Sequence, residues 1–426
     1  MRIGRIATPV IVATIAATSS LPSAYALLSS LSSDSVLSSS GDPIIAAPAN
    51  DTPQGLDVTM IGDLLGPTIS GKWGIQSGDL GEMAPLRDGQ EFAIVFGDSF
   101  RGPKLGDGEW MSPVGVVAKL NAAGRIEIVR PLNPGERVEQ LIKYQHNDRG
   151  LTLLPSDIIN VDGTLYLQAM WNEGVGNVLS TEIWKSTDNG KTWQSIAKLP
   201  ANYMGGMGNL ITWEKGPDGY IYIMSSQFKR SDDIYLSRFR PDQFDQPALW
   251  EHYAHGTWGS EYAPIVSHRM DAGEMSLRYI EGHWVLSVFN AQTAAIEVRI
   301  ADSITADWNA IKPARVVVSN GGRGMVQDEN NFTQLYGGYI VPGSTLANMD
   351  FVVSQWNTTT HARYNSTQFN VKGLDKFFHI GEAERARIAT YAVEDSAEST
   401  LQVTTTEAPA QPAAPELAPV AVVPMG

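Results

Sequence analysis

The stretch STDNGKTW (Ser186–Trp193) carries the strongest fold signal in the chain. An aspartate at this place in a turn accepts backbone N–H groups, and a glycine supplies the positive φ that a tight turn needs. The closing tryptophan can then pack its ring under the neighbouring sheet. This S-x-D-x-G-x-T-W pattern, an Asp box, is typical of the hairpin between the outer strands of a β-propeller blade. We therefore expect Asp188 to be structural and to lie on the outer rim.

Short β-branched and aromatic segments surround this turn, from about Leu56 to Ala392, and helix-period segments of useful length are almost absent. Predicted strands include Glu91–Asp98, Leu165–Trp171 and Met275–Tyr279. The segments fall into about five groups of roughly 60 residues each. A ring of small sheets lets such a long antiparallel chain close with only short edges. The sequence therefore predicts an all-β fold, a five-bladed β-propeller; the alternative of two β-sandwiches needs a central linker that is not evident.

The two ends of the chain differ from this middle in composition. Arg2 and Arg5 precede a short apolar stretch, and Ala24-Tyr25-Ala26 matches an A-x-A cleavage site, so residues 1–26 are predicted to be a signal peptide. Residues 27–54 and the Ala/Pro/Thr-rich residues 393–426 are predicted to be disordered. The propeller is expected over residues 55–392. We expect a secreted or cell-envelope protein without a transmembrane segment.

Composition and charge exclude several function classes. The formal net charge is −15, from 46 acidic and 31 basic residues, which argues against a nucleic-acid partner. The chain has no cysteine, so disulfides, thiolate nucleophiles and cysteine-ligated metals are excluded. The seven histidines show no zinc-site spacing. We expect no cofactor, no metal ion and a monomeric protein.

Two aspartates of the first predicted blade are the candidate catalytic residues. A buried strand, Glu91–Phe96, ends directly in Gly97-Asp98, and Asp79 lies on a Gly-flanked turn one strand and loop earlier. Carboxylates delivered by adjacent strand ends can face one cavity, and sugar hydrolysis needs such a pair. The alternative is that both are turn or capping aspartates.

Polar residues at the starts of later blades are predicted to face the same cavity. Asp157 and Glu274 would add like charges, which raise a carboxyl pKa and so create a proton donor. Tyr203 could stack on a sugar, and Asn209 could bond its hydroxyls. The alternatives are strand caps, tight loops and solvated surface arginines. The predicted substrate-binding residues are Asp157, Tyr203, Asn209, Gln227, Arg230, Glu274 and Arg278.

Tryptophans near predicted loops are candidate sugar platforms, because a flat ring can contact the C–H face of a sugar. They are Trp73, Trp110, Trp171 and Trp258. Core packing is the more common role of tryptophan.

The ordered set of motifs resembles glycoside hydrolase family 183, an actinobacterial family first catalogued as a domain of unknown function. The resemblance covers about Leu56 to Ala392. Its most specific element is the Phe-Gly-Asp-Ser/Thr step, here Phe96-Gly97-Asp98-Ser99, and the other motifs include Gly78–Gly81 and Gly273–Tyr279. The resemblance implies a five-bladed propeller that cleaves D-arabinan, the furanose polymer of arabinogalactan and lipoarabinomannan in mycobacterial and corynebacterial walls. The family's paired aspartates would fall on Asp79 and Asp98.

The sequence thus predicts a secreted, endo-acting glycosidase on D-arabinofuranose polymer. We hypothesise an inverting reaction, with Asp79 as base and Asp98 as acid. One alternative is a non-catalytic wall-binding propeller, which keeps an aromatic pocket but needs no acid pair. A second alternative, a sialidase-like enzyme, needs an arginine triad and a Tyr–Glu nucleophile that are not evident in the sequence.

Overall fold

The computed structural model describes residues 55–319, 327–328 and 331–381. The predicted signal peptide lies outside the described residues, as do the whole predicted lead-in and the predicted C-terminal tail. All strands belong to the first of two compact units, which ends at Phe378. No helix within the described ranges is long and apolar enough to cross a membrane.

The described residues form five antiparallel sheets, which are the blades of a propeller. The first blade contains β2 (Ser77–Pro85), β3 (Phe92–Phe100), β4 (Trp110–Met111), β5 (Val114–Leu120) and β6 (Ile126–Pro131). The second contains β7 (Leu151–Val161), β8 (Thr164–Glu173), β9 (Val178–Ser186) and β10 (Gln194–Pro200). The third contains β11 (Leu210–Lys215), β12 (Ile221–Ser226), β13 (Ile234–Phe239), β14 (Glu251–Ala254), β15 (Thr257–Gly259) and β16 (Pro264–Val266).

The fourth blade contains β17 (Ala272–Ile280), β18 (His283–Asn290), β19 (Ala295–Ala301) and β20 (Ala314–Val318). The fifth contains β21 (Leu335–Ile340), β22 (Asn348–Trp356), β23 (Tyr364–Lys372) and the early strand β1 (Asp57–Asp63). One short helix, α1 (Leu374–Phe377), follows the last strand. Single 3₁₀ turns cover Gly71–Trp73, Tyr203–Gly206, Pro241–Gln243 and Pro247–Leu249.

The core lies between neighbouring blades. Each sheet presents β-branched and aromatic side chains on both faces, because each face packs against the next sheet. Val95 and Leu167 belong to one cluster that joins the first and second blades. Met224 and Leu277 belong to another, which joins the third and fourth. The innermost strands are therefore buried almost end to end, as in β2.

Pairing of β1 with β23 closes the ring. The earliest described strand thus completes the last blade, so that the first and last strands of the propeller are held in one sheet. Arg363 reinforces this junction, with its NH2 group 2.7 Å from Asp63 Oδ1. The five-bladed propeller predicted from the sequence is confirmed.

The Asp box forms the turn between β9 and β10. Asp188 accepts hydrogen bonds from the Thr192 backbone N–H at 3.0 Å and from the Thr192 hydroxyl at 2.6 Å. Gly190 has a φ of +85°. The Trp193 ring packs against the core between the first two blades. The geometry gives Asp188 the structural, rim position that the motif predicts.

Candidate active site

The innermost strands β2, β7, β11, β17 and β21 lie side by side around the axis of the ring. Their first residues gather at one end. Asp79, near the start of β2, contacts Tyr336, near the start of β21. Asp98, near the end of β3, contacts Thr152, near the start of β7. Side chains from several blades therefore meet in one polar cluster at this end of the axis.

Asp79 is delivered by an irregular stretch of β2. The sequence predicted a turn here, but Asp79 lies within the strand, at a bulge in its pairing with β3. Leu80 adopts a φ of +63° and Gly81 a φ of +140°. A leucine in the left-handed region is strained, and such strain collects at functional sites. The bulge changes the alternation of the strand, and the Asp79 side chain faces the polar cluster.

Two serines of the fifth blade hold this bulge. The Leu80 N–H donates to Ser354 Oγ at 2.8 Å, and the Ser366 hydroxyl donates to the Leu80 carbonyl at 2.7 Å. Both serines are fully buried. Because these bonds fix the backbone next to Asp79, we infer that they set the direction of its carboxyl group.

Replacing Ser366 by alanine is expected to lower kcat about tenfold with little change in KM, because it removes the 2.7 Å hydrogen bond to the buried Leu80 carbonyl and leaves only the 3.4 Å bond from the Ser354 hydroxyl, at a cost of about 1 kcal/mol. Steady-state kinetics and urea unfolding would measure both effects. Ser287→Ala is the matched control, since Ser287 is equally buried and its hydroxyl makes no hydrogen bond to the described residues. Equal kinetics for the two variants would contradict a positioning role for Ser366.

The Asp79 carboxyl group is buried and keeps its proton at neutral pH. Its side chain lies against Gly97, where an added Cβ would stand 2.7 Å from Asp79 Oδ1. The Tyr336 hydroxyl donates to Asp79 Oδ2 at 2.8 Å. Burial, together with the negative charge of Asp98, raises the pKa of Asp79 to about 8, against the opposing hydrogen bonds of Tyr364 and Tyr336.

Asp98 lies on the neighbouring strand, β3, which continues to Phe100, two residues past the predicted strand Glu91–Asp98. Asp98 Oδ1 accepts two hydrogen bonds of 2.8 Å, from the Trp110 indole N–H and from the Thr152 hydroxyl. Burial raises the pKa of Asp98, while these two donors and the nearby His146 lower it. Because the negative charge of Asp98 raises the pKa of Asp79, the two carboxyl groups interact electrostatically.

Glu274 and Arg230, both predicted from the sequence, form an ion pair beside this polar cluster. The distance from Arg230 NH2 to Glu274 Oε1 is 2.6 Å. The Arg230 guanidinium also lies over the Tyr336 ring, 4.8 Å from its centre. A connected chain therefore runs from Asp79 through Tyr336 and Arg230 to Glu274. The second carboxylate oxygen of Glu274 is buried without a partner among the described residues.

Asp157 and Arg278 form a second ion pair, further along the innermost strands. Asp157 is fully buried, and its carboxylate accepts from the Arg278 guanidinium at 3.2 Å and from the Thr212 hydroxyl at 2.7 Å. Arg278 also donates to the Met83 carbonyl, near the far end of β2. The ion pair therefore links the innermost strands of several blades. Its predicted contact with substrate stays a prediction.

The other three predicted binding residues belong to the third blade. The Tyr203 ring packs edge-on against Trp250, and its hydroxyl lies 3.4 Å from His252 Nε2. Asn209 is buried and donates to the Ala201 carbonyl at 3.0 Å. Gln227 lies against Gly206. Their role in substrate binding also stays a prediction.

Several residues of the site were not predicted from the sequence. The aspartate pair is surrounded by Tyr336, Tyr364, Thr152 and His146. In the sequence, each of these residues lies in an ordinary strand or loop segment without a recognisable motif. Trp110, by contrast, was a candidate sugar platform and now lies beside Asp98. Within the described ranges, no group of three or more His, Cys, Asp or Glu side chains could hold a metal ion.

The fold and this cluster define a five-bladed β-propeller with a buried and a half-buried aspartate side by side at one end of its axis. The chain belongs to the family of the domain of unknown function DUF4185, whose model matches residues 66–370. It is also 28% identical over 306 residues to an uncharacterized 35.9 kDa protein of Mycolicibacterium smegmatis, a match that covers 68% of this chain and 90% of that protein.

Solved structures with a similar fold include hydrolases. A crystal structure of a candidate hydrolase from Bacteroides ovatus has a TM-score of 0.54 at 11% identity and covers 73% of this chain and 89% of its own. An exo-β-1,3-galactanase from Phanerochaete chrysosporium has a TM-score of 0.48 at 8% identity and covers 74% of this chain and 64% of its own. At these identities the likeness concerns the fold alone.

Proposed function

We propose that this chain is a glycoside hydrolase that cleaves D-arabinofuranose polymer by acid/base catalysis with Asp79 and Asp98. The observation that carries the proposal is the pair itself: the buried carboxyl group of Asp79 and the half-buried one of Asp98 lie on neighbouring strands, and the pKa of Asp79 is raised to about 8. A proton donor beside a carboxylate is the arrangement that glycosidic bond cleavage requires. The preference for D-arabinan rests on the resemblance of the sequence motifs to glycoside hydrolase family 183.

The environments favour Asp79 as the acid and Asp98 as the base or nucleophile, which reverses the hypothesis drawn from the sequence. Burial and the negative charge of Asp98 raise the pKa of Asp79 to about 8, which favours a protonated side chain at neutral pH. Asp98 receives two donors on one oxygen and lies near His146, and both features support a negative charge. Asp79 would then protonate the leaving oxygen.

The proposal includes the place of action and the partners. We propose a secreted or cell-envelope enzyme that acts, as a monomer and without a cofactor, on the arabinan of arabinogalactan and lipoarabinomannan. The acidic net charge of −15 suits a neutral polysaccharide better than a phosphate backbone.

Incubation of the full chain with purified mycobacterial arabinogalactan tests the proposal. We expect release of arabinofuranose oligosaccharides of several lengths, which chromatography would resolve, and a steady fall in polymer size, as endo-acting cleavage produces. Binding of the polymer without any release would favour the wall-binding alternative. No binding and no release would refute both functions.

The rate of cleavage is expected to fall as the pH rises through about 8, because Asp79 loses the proton that it must donate. On the acid side the rate should fall as the pair takes up its second proton, so that the profile is bell-shaped. Initial rates measured at intervals of about one pH unit between pH 4 and pH 10 would define both the acid and the alkaline side of the pH–rate profile. A profile that stays flat through pH 8 to pH 10 would contradict the protonated role of Asp79.

A further inference from the structure

A groove of about 400 Å³ opens beside Asp98. This volume lies in the range of about 300–1,000 Å³ that is typical of small-ligand sites. The groove is lined by β4 and by the connection between the first and second blades, and its lining includes the rings of Trp110, Tyr144 and His146. Trp110 is one of the candidate sugar platforms predicted from the sequence, whereas Tyr144 and His146 are not among the predicted binding residues.

Each of the three rings is held in place by its own hydrogen bond. Trp110 donates to Asp98 at 2.8 Å, the Tyr144 hydroxyl accepts the Leu153 N–H at 3.0 Å, and His146 Nδ1 donates to the Leu151 carbonyl at 2.7 Å. The rings also contact one another. The centres of Trp110 and His146 are 3.6 Å apart with nearly parallel planes, and Tyr144 meets His146 edge-on at 5.1 Å. A wall of fixed rings loses little entropy when a ligand binds.

The polar edge of the groove is close to neutral. Glu109 and Glu139 both pair with the Arg101 guanidinium, at 3.0 and 3.1 Å. Lys143 adds a second positive charge, and the lining also includes the amide side chain of Gln145. Two negative and two positive charges favour an uncharged ligand with many hydroxyl groups over a cationic or anionic one.

We propose that this groove is a binding subsite for the furanose residues next to the cleaved bond, with the Trp110–His146–Tyr144 wall contacting their C–H faces and the Lys143 and Gln145 side chains contacting their hydroxyls. The inference rests on the proposed function, since it assigns the groove to the same polymer chain that reaches Asp98. The position supports it, because Trp110 bonds the carboxylate directly and so joins the wall to the candidate catalytic residue. Aromatic rings with a few polar groups are the usual means of sugar recognition in such pockets.

The test compares the wild type with His146→Ala and Gln145→Ala on linear D-arabinofuranose oligosaccharides of increasing length. We expect the wild-type kcat/KM to rise with chain length as each added residue enters the groove. In His146→Ala the increase of kcat/KM with chain length should be about tenfold smaller, which is the scale of one aromatic contact. The change should lie mainly in KM. A smaller change of the same kind is expected for Gln145→Ala. His283→Ala is the matched control, because His283 lies in the hairpin after β17, at the opposite end of the ring, where it pairs with Asp302.

The outcomes separate the groove from the proposed function. If the wild type cleaves the oligosaccharides and both groove variants keep its full dependence on chain length, the subsite is refuted and the function stands. If the wild type cleaves nothing, the proposed function fails, and calorimetric titration with the longest oligosaccharide decides the groove. Binding that weakens about tenfold in His146→Ala would support the subsite, whereas equal binding or none would refute it.

Discussion

Asparagine in place of Asp98 is expected to lower the release of oligosaccharides from arabinan by about 10²–10⁴-fold, the typical contribution of one acid/base group. The substitution removes the negative charge but keeps an oxygen that can accept from Trp110 and Thr152, whose bonds of 2.8 Å hold the side chain in place. The fold should therefore be retained, and circular dichroism would confirm it. Oligosaccharide release by purified protein gives the rate.

The matched control is Asp188→Asn, because Asp188 is also held by several hydrogen bonds but lies in the outer turn of the second blade. Its activity per folded molecule should equal that of the wild type. Full activity of Asp98→Asn would remove Asp98 from catalysis.

A companion variant, Asp79→Asn, assigns the two roles. If Asp79 is the acid, its loss should matter far less for an aryl arabinoside, whose leaving group needs no proton, than for the polymer. The loss of a base or nucleophile should slow both substrates alike. The reverse pattern, with Asp98→Asn spared on the aryl substrate, would restore the assignment made from the sequence.

The sequence was sufficient for the fold because the propeller's signals are local. The Asp box is recognised from the eight consecutive residues Ser186–Trp193 alone, and each strand is predicted from its own short segment of sequence. Asp98 was likewise found at the end of a buried run, on a single strand. Such features depend on residues that are near one another in the chain, so no tertiary contact has to be known.

The surroundings of the pair could not be predicted in this way. Tyr336 is 257 residues from Asp79, and the two meet only because the ring closes through β1 and β23. The left-handed conformation of Leu80 could not be predicted from the sequence either, because leucine rarely adopts it and the serines that stabilise it lie in the last blade. Interactions of this kind follow from ring closure rather than from local pattern.

Methionine in place of Arg278 is expected to lower the free energy of unfolding by about 3–5 kcal/mol, because it leaves the carboxylate of Asp157 buried without its counter-ion. The Arg278 side chain is 14% exposed, and that of Asp157 is 0% exposed. The guanidinium also interacts electrostatically with the carboxyl groups of Glu214 and Glu82. Its loss therefore removes the compensating positive charge from more than one acidic group inside the ring. Urea unfolding, followed by tryptophan fluorescence, measures the change.

Arg130→Met supplies the matched control, since Arg130 pairs with Glu91 at 2.8 Å but is 47% exposed. A surface pair of this kind is worth about 0–1 kcal/mol. In the double variant Arg278→Met with Asp157→Asn, part of the lost stability should return, because the uncompensated charge is gone. If Arg278→Met unfolds like the wild type but binds arabinan weakly, Arg278 contacts substrate, as its sequence context predicts. A large loss of stability would instead make this ion pair a brace that keeps the blades aligned beneath the aspartate pair.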